Sequence, residues 1–130
     1  METREQLRRI VDEAVMLQGL AEDILVGVRA RRSLAELAPP GGALVSRFVA
    51  LRAELPDTAA DPRLRDVART VGETLDHHAM MVASSLHMLG DLRPERVAYL
   101  IDTLDGLGPP AQRLCALQAE LREATADAAR

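Results

Sequence analysis

From Pro62 to Gly90 the chain reads as one helix of about eight turns, and the eleven residues Ala79–Leu89 contain no Asp, Glu, Lys or Arg. A helix whose charges run out halfway along must be covered there by other protein. Asp61 can accept from the first free amides, and Pro62 suits the first helical position, where its missing N–H costs nothing. Gly90 is expected to supply a left-handed stop. Between them Ala68, Val71, Leu75, Ala79, Val82, Leu86 and Leu89 recur at spacings of three and four, one apolar stripe. Outside it, the first half carries Arg63, Arg65, Asp66, Arg69, Glu73 and Asp76, a face for water. The second half carries His77, Met80, Met81, Ser84, His87 and Met88 in the same sector. At 100° per residue, His77, Met81, Ser84 and Met88 form a row roughly 120° or more from the stripe's centre. Either this helix is central to a bundle, or its second face meets another chain.

Its neighbours are legible too. Thr3 with Gln6 makes a capping box for a first helix. The seam of that helix is Leu7, Ile10, Ala14, Leu17, Ala21, Ile24 and Val28, a heptad pattern. Met16, Leu20 and Val26 lie off the seam, and Gly19 and Gly27 are candidates for close approach of another helix. Ser33-Leu34-Ala35-Glu36 repeats the capping-box pattern and is read as a short extra turn or a bend. Pro39-Pro40-Gly41-Gly42 is read as a break. A second helix then spans Ala43 to Leu55, with Leu44, Phe48, Leu51 and Leu55 on one side, stopped by Pro56. After the long helix, Pro94 opens a helix carrying Val97, Tyr99, Leu100, Ile101 and Leu104. Gly106 to Pro110 breaks the chain again. A last helix carries Leu114, Leu117 and Leu121 and is expected to fray from Thr125.

The expected fold is therefore all-α: an antiparallel bundle of four to five helices in a single domain, residues 1–130, with the first and third helices longest. Arg47–Leu55 resembles Arg113–Leu121 position by position. That likeness reads either as a duplicated unit about a pseudo-twofold axis or as chance among helices rich in Ala, Leu, Arg and Glu.

Aromatic residues are only 2%, Phe48 and Tyr99, so the core must be built from aliphatic side chains. All 16 basic residues are arginine, as a GC-rich genome favours, and the net charge is −4. That balance argues against nucleic acid as a partner. Arg29, Arg31 and Arg32 cluster where cations complement the first helix's C-terminus. Cys115 is the single cysteine, so no intramolecular disulfide forms, and it is expected to be a small buried hydrophobe. The charged N-terminus predicts no secretory signal, and no run of about 18–20 apolar residues predicts a membrane span. A soluble cytoplasmic protein is expected, with no membrane partner.

The chemistry-bearing residues converge poorly. Dimetal bundles use Glu-x-x-His pairs; here Glu73 precedes Asp76 and His77, one residue out of step. One cysteine and three histidines on one helix do not make a zinc site. No phosphate-binding glycine loop or nucleophile elbow occurs. Neither cofactor, metal ligand nor catalytic residue is therefore assigned. The leading expectation is a non-enzymatic interaction module, a scaffold or regulatory adaptor. It is expected to be homodimeric through His77, Met80, Met81, Ser84 and Met88, because flexible methionines tolerate self-packing. One alternative is a histidine phosphotransfer-like protein using His77, which points away from the stripe. Another is a bundle holding a small molecule or metal in a Met/His-lined pocket.

Overall fold

The computed structural model describes residues 2–59, 61–90 and 106–128. Among them the chain is an all-α bundle of four helices: α1 (Glu2–Arg29), α2 (Leu34–Ala53), α3 (Pro62–Leu89) and α4 (Pro109–Ala128). The helix expected from Pro94 lies outside the described residues.

The heptad seam of α1 behaves as its spacing requires. All seven of its residues are buried, with Val11, Gly27 and Leu25 beside them. The first turn differs from expectation. The helix already includes Glu2, so Thr3 does not cap it, and Gln6 instead donates its amide to the Glu54 carbonyl at 2.9 Å. Asp61 caps α3 as expected, accepting from the Arg63 amide at 3.0 Å. Gly90 corrects the expected left-handed stop: its φ is −86°, in the right-handed region. Its amide reaches the Leu86 and His87 carbonyls, at 3.2 and 3.1 Å, so a tightened last turn closes the helix without a positive φ.

The largest correction concerns Pro39–Gly42. The expected break lies inside α2, which runs unbroken from Leu34. Ser33 is its N-cap, accepting from the Glu36 amide at 3.2 Å, so the capping box opens a long helix rather than a short turn. The two prolines remove the amides that would have bonded Ala35 and Glu36. Both of those residues sit in the exposed first turns, where water can satisfy their carbonyls. Packing then holds the helix. Gly41 is buried against α3, and a Cβ on it would lie 2.5 Å from Leu86 Cδ1. A second close approach, Gly72 of α3 beneath the Arg52 guanidinium, fixes the other end of the pair. Local breakers were outweighed by tertiary contact.

Residue pairings set the directions. Arg47 meets Glu13, and Gly27 meets Leu37, so α1 and α2 are antiparallel. Gly41 against Leu86 and Arg52 against Asp76 make α2 and α3 antiparallel. Gln118 and Arg122 reach Asp12 while Leu107 reaches Glu22, so α4 also runs against α1. Gly27 is thus the close approach that its position implied, whereas Gly19 has nothing within 4 Å.

On α3 the buried face is Leu64, Val71, Gly72, Thr74, Leu75, His78, Val82 and Ser85. Its centre is turned about 40° from the expected stripe, toward His78 and Ser85. Ala68, Ala79, Leu86 and Leu89 sit at its half-buried edge. On this side α1 meets His78 through Gln18 and α2 meets it through Phe48, which turns the buried centre that way. On α4 the core residues are Ala111, Leu114, Leu117 and Leu121. Cys115 lies more than 100° from their centre and is exposed, contrary to the expected burial. The helix continues through Ala128, past the expected fraying point. The two similar segments bury equivalent positions, Phe48 with Leu114 and Leu51 with Leu117. The proline pairs before them differ, one inside a helix and one opening a helix.

The turned stripe predicts an order of stabilities. Leu75, 1% exposed, should lose about 3 kcal/mol on replacement by Ala, and half-buried Leu86 clearly less. Denaturant midpoints of the two variants check this; equal losses would contradict the turned face.

Candidate functional site

Two large polar residues stand at the middle of heptad-spaced rows on facing helices. On α1 the row Val11, Gln18, Leu25 repeats every seven residues, and on α3 Val71, His78, Ser85 does the same. The fold brings Gln18 and His78 together. His78 is 0% exposed, and its Nε2 lies 2.9 Å from Gln18 Oε1. An amide oxygen only accepts, so Nε2 carries the proton and donates. Nδ1 is then a bare acceptor, buried with no hydrogen-bond partner among the described residues. Phe48 of α2 meets the imidazole edge-on, centroids 5.6 Å apart and planes at 87°. Gln18 in turn donates from Nε2 to Cys115 Sγ of α4 at 3.5 Å, a long and weak contact. One side chain from each helix thus joins a single line: Phe48, His78, Gln18, Cys115.

Burial in these surroundings pushes the His78 pKa down to about 4, with the neighbouring His77 adding a smaller push in the same direction. His77 itself is half-buried and donates from Nε2 to the Leu107 carbonyl, 3.1 Å away. That bond ties α3 to the turn before α4. Glu22 secures the same turn from α1, accepting from the Leu107 amide at 3.2 Å. With the proton on Nε2, the lone pair of His77 is on Nδ1.

The remaining residues of the expected interface row separate. Met80 and Ser84 are exposed, Met80 at 52%. Met81 and Met88 are half-buried and pack against the chain's own core. The turn of the buried face toward His78 draws these two inward. Ser85 and Thr74, both buried, return their hydroxyls to the carbonyls of Met81 and Thr70, at 2.6 and 2.8 Å. Among the described residues no group of three or more His, Cys, Asp or Glu could hold a metal ion.

The clearest unfilled surface lies elsewhere. Leu17, Leu20 and Ile24 of α1 and Pro40, Ala43 and Leu44 of α2 line an open groove of about 460 Å³. Its walls are almost wholly apolar, with Asp23 and Arg47 at its margins. Arg47 is held there by Glu13, at 2.6–2.8 Å, and by Glu54 at 3.5 Å. Beside the groove Met16 is 62% and Leu20 51% exposed. The off-seam placement of Met16 and Leu20 was the available signal. Pro40 and Ala43 could join them only once α2 proved continuous through its prolines.

No helix among the described residues is long and apolar enough to cross a membrane. No family model, curated protein or solved structure matches the chain.

The buried imidazole gives a pH dependence of known sign. The unfolded chain protonates His78 near pH 6.5, the folded chain only near 4. Between those values the unfolded state binds more protons, so stability is highest above pH 6.5 and falls as pH drops toward 4. The loss should be roughly 3 kcal/mol by pH 4. Urea midpoints measured across this range check it, with His78→Met expected to flatten this part of the slope.

Proposed function

We propose that the chain is a non-enzymatic helical-bundle interaction module, a scaffold or regulatory adaptor that works by docking protein on the outside of α1 and α2. The observation that carries this reading is the apolar groove between those helices, continuous with the exposed side chains of Met16 and Leu20. A bundle buries such surface when it can, and exposed contiguous apolar patches mark interaction sites. An apolar groove between two helices with charged residues beside it is a form that receives an amphipathic helix. The polar line through His78 supports the same reading from within. The buried His78–Gln18 bond and the Phe48 ring contact join α1, α2 and α3, the weak Cys115 contact extends the line to α4, and binding is left to the outer faces. Homodimerisation belongs to this proposal, with its surface moved from the methionine row of α3 to the α1–α2 face.

Ala43 is exposed on the groove wall, so Ala43→Glu places a charge in the docking surface without touching the core. Wild-type protein is expected to associate, either with itself in sedimentation velocity or with a defined protein identified by cross-linking. Ala43→Glu should lose that association by tenfold or more, on the order of 1.4 kcal/mol, while keeping its circular dichroism spectrum. Association unaffected by the charge would overturn the assignment of this face.

A further inference from the structure

We propose that the groove's occupant is a second copy of this chain, docked antiparallel on the outer face of α1 about a two-fold axis at Met16, with Arg9 of each copy paired to Asp23 of the other. The proposal rests on the interaction-module reading and names its partner.

The outer face of α1 carries its own pattern. Arg9, Met16 and Asp23 follow one another at intervals of seven residues, and all three are exposed. Each heptad drifts by only about 20°, so the three form one row. Opposite charges stand at the ends of the row, and the most exposed large apolar side chain of the described residues stands at its middle. Arg9 and Asp23 have no ion-pair partner among the described residues. Their neighbours do: Arg8 with Asp12, and Arg47 with Glu13.

Symmetry then selects the partner. Each charge lies about 10 Å along the axis from Met16, in opposite directions. A two-fold perpendicular to α1 at Met16 carries the Arg9 end of one copy onto the Asp23 end of the other. Both ion pairs form at once, as an isologous contact demands. A parallel arrangement would set Arg9 against Arg9 and Asp23 against Asp23, so charge specifies the antiparallel one. Gly19, one turn from Met16, has nothing within 4 Å of where a Cβ would stand, which leaves room for a close helix crossing. Leu20 lies on the groove side of the row and extends the contact toward Pro40 and Ala43. The interface is thereby wider than one helix, as a stable dimer requires.

Sedimentation equilibrium on the full chain tests this with four proteins: wild type, Arg9→Asp, Asp23→Arg and the double reversal. Wild type should dimerise. In each single reversal both symmetry-related pairs become repulsive, so Kd should rise about tenfold or more. The double reversal should return most of the affinity, because the charges meet again with their signs exchanged. Higher salt should weaken the wild-type dimer and narrow the gap between it and the single variants. Met16→Glu should give a monomer with unchanged helix content. A double reversal no tighter than the singles overturns the pairing, and so does a wild-type chain that stays monomeric at its highest soluble concentration. A monomer that nonetheless captures a defined protein in an Ala43-dependent way overturns the self-pairing and leaves the module reading standing.

Discussion

The bundle is tied at its centre by a neutral imidazole. His78 is sealed from water, stacked edge-on by Phe48 and bonded through Nε2 to Gln18. Charging it there would place an ion in an interior with no counter-charge, which is why its pKa falls to about 4. The chain has a single phenylalanine, and this is where it is spent. The other large core side chains are aliphatic and pack without directional preference. The hydrogen bond and the ring contact are therefore what give α1, α2 and α3 one rotational setting relative to each other. The weaker thiol contact of Gln18 extends the line to α4.

That setting explains the other departures from simple periodicity. Once His78 faces inward, the buried sector of α3 turns with it, Met81 and Met88 come to the core's edge, and Met80 is left outside. Once α2 is drawn against α3 at Gly41 and Gly72, its prolines no longer end a helix; they lie on the exposed side of one. The unbroken α2 then runs along α1 far enough to make a groove. α4 occupies the opposite flank of α1, where Asp12, Gln18 and Glu22 receive it. The outer row of α1 is left between two covered flanks, and this is why exposed apolar and charged residues collect there.

How much of this could be read from the residues depends on what each residue answers to. The seam of α1, the start of α3 at Asp61–Pro62 and the apolar side of the second helix answer to local geometry and were legible as they stand. The site was far less so. Gln18 and His78 each show as a large polar residue at the middle of a heptad-spaced row, a signal visible in one helix at a time, yet their pairing joins residues sixty positions apart. Cys115 looked like a core residue because its neighbours Leu114 and Leu117 are; one step of 100° puts it outside.

By itself, then, the sequence determined an all-α chain, the long helices and the aliphatic character of the core, because helical periodicity and capping are properties of neighbouring residues. Only the tertiary structure decided whether Pro39 and Pro40 break a helix, which histidine is buried, and which methionines face outward. Those outcomes turn on how closely two helices can approach and on the rotation each takes to do so. Gly41 against Leu86 and His78 against Gln18 set both quantities, and neither contact exists until the helices have met.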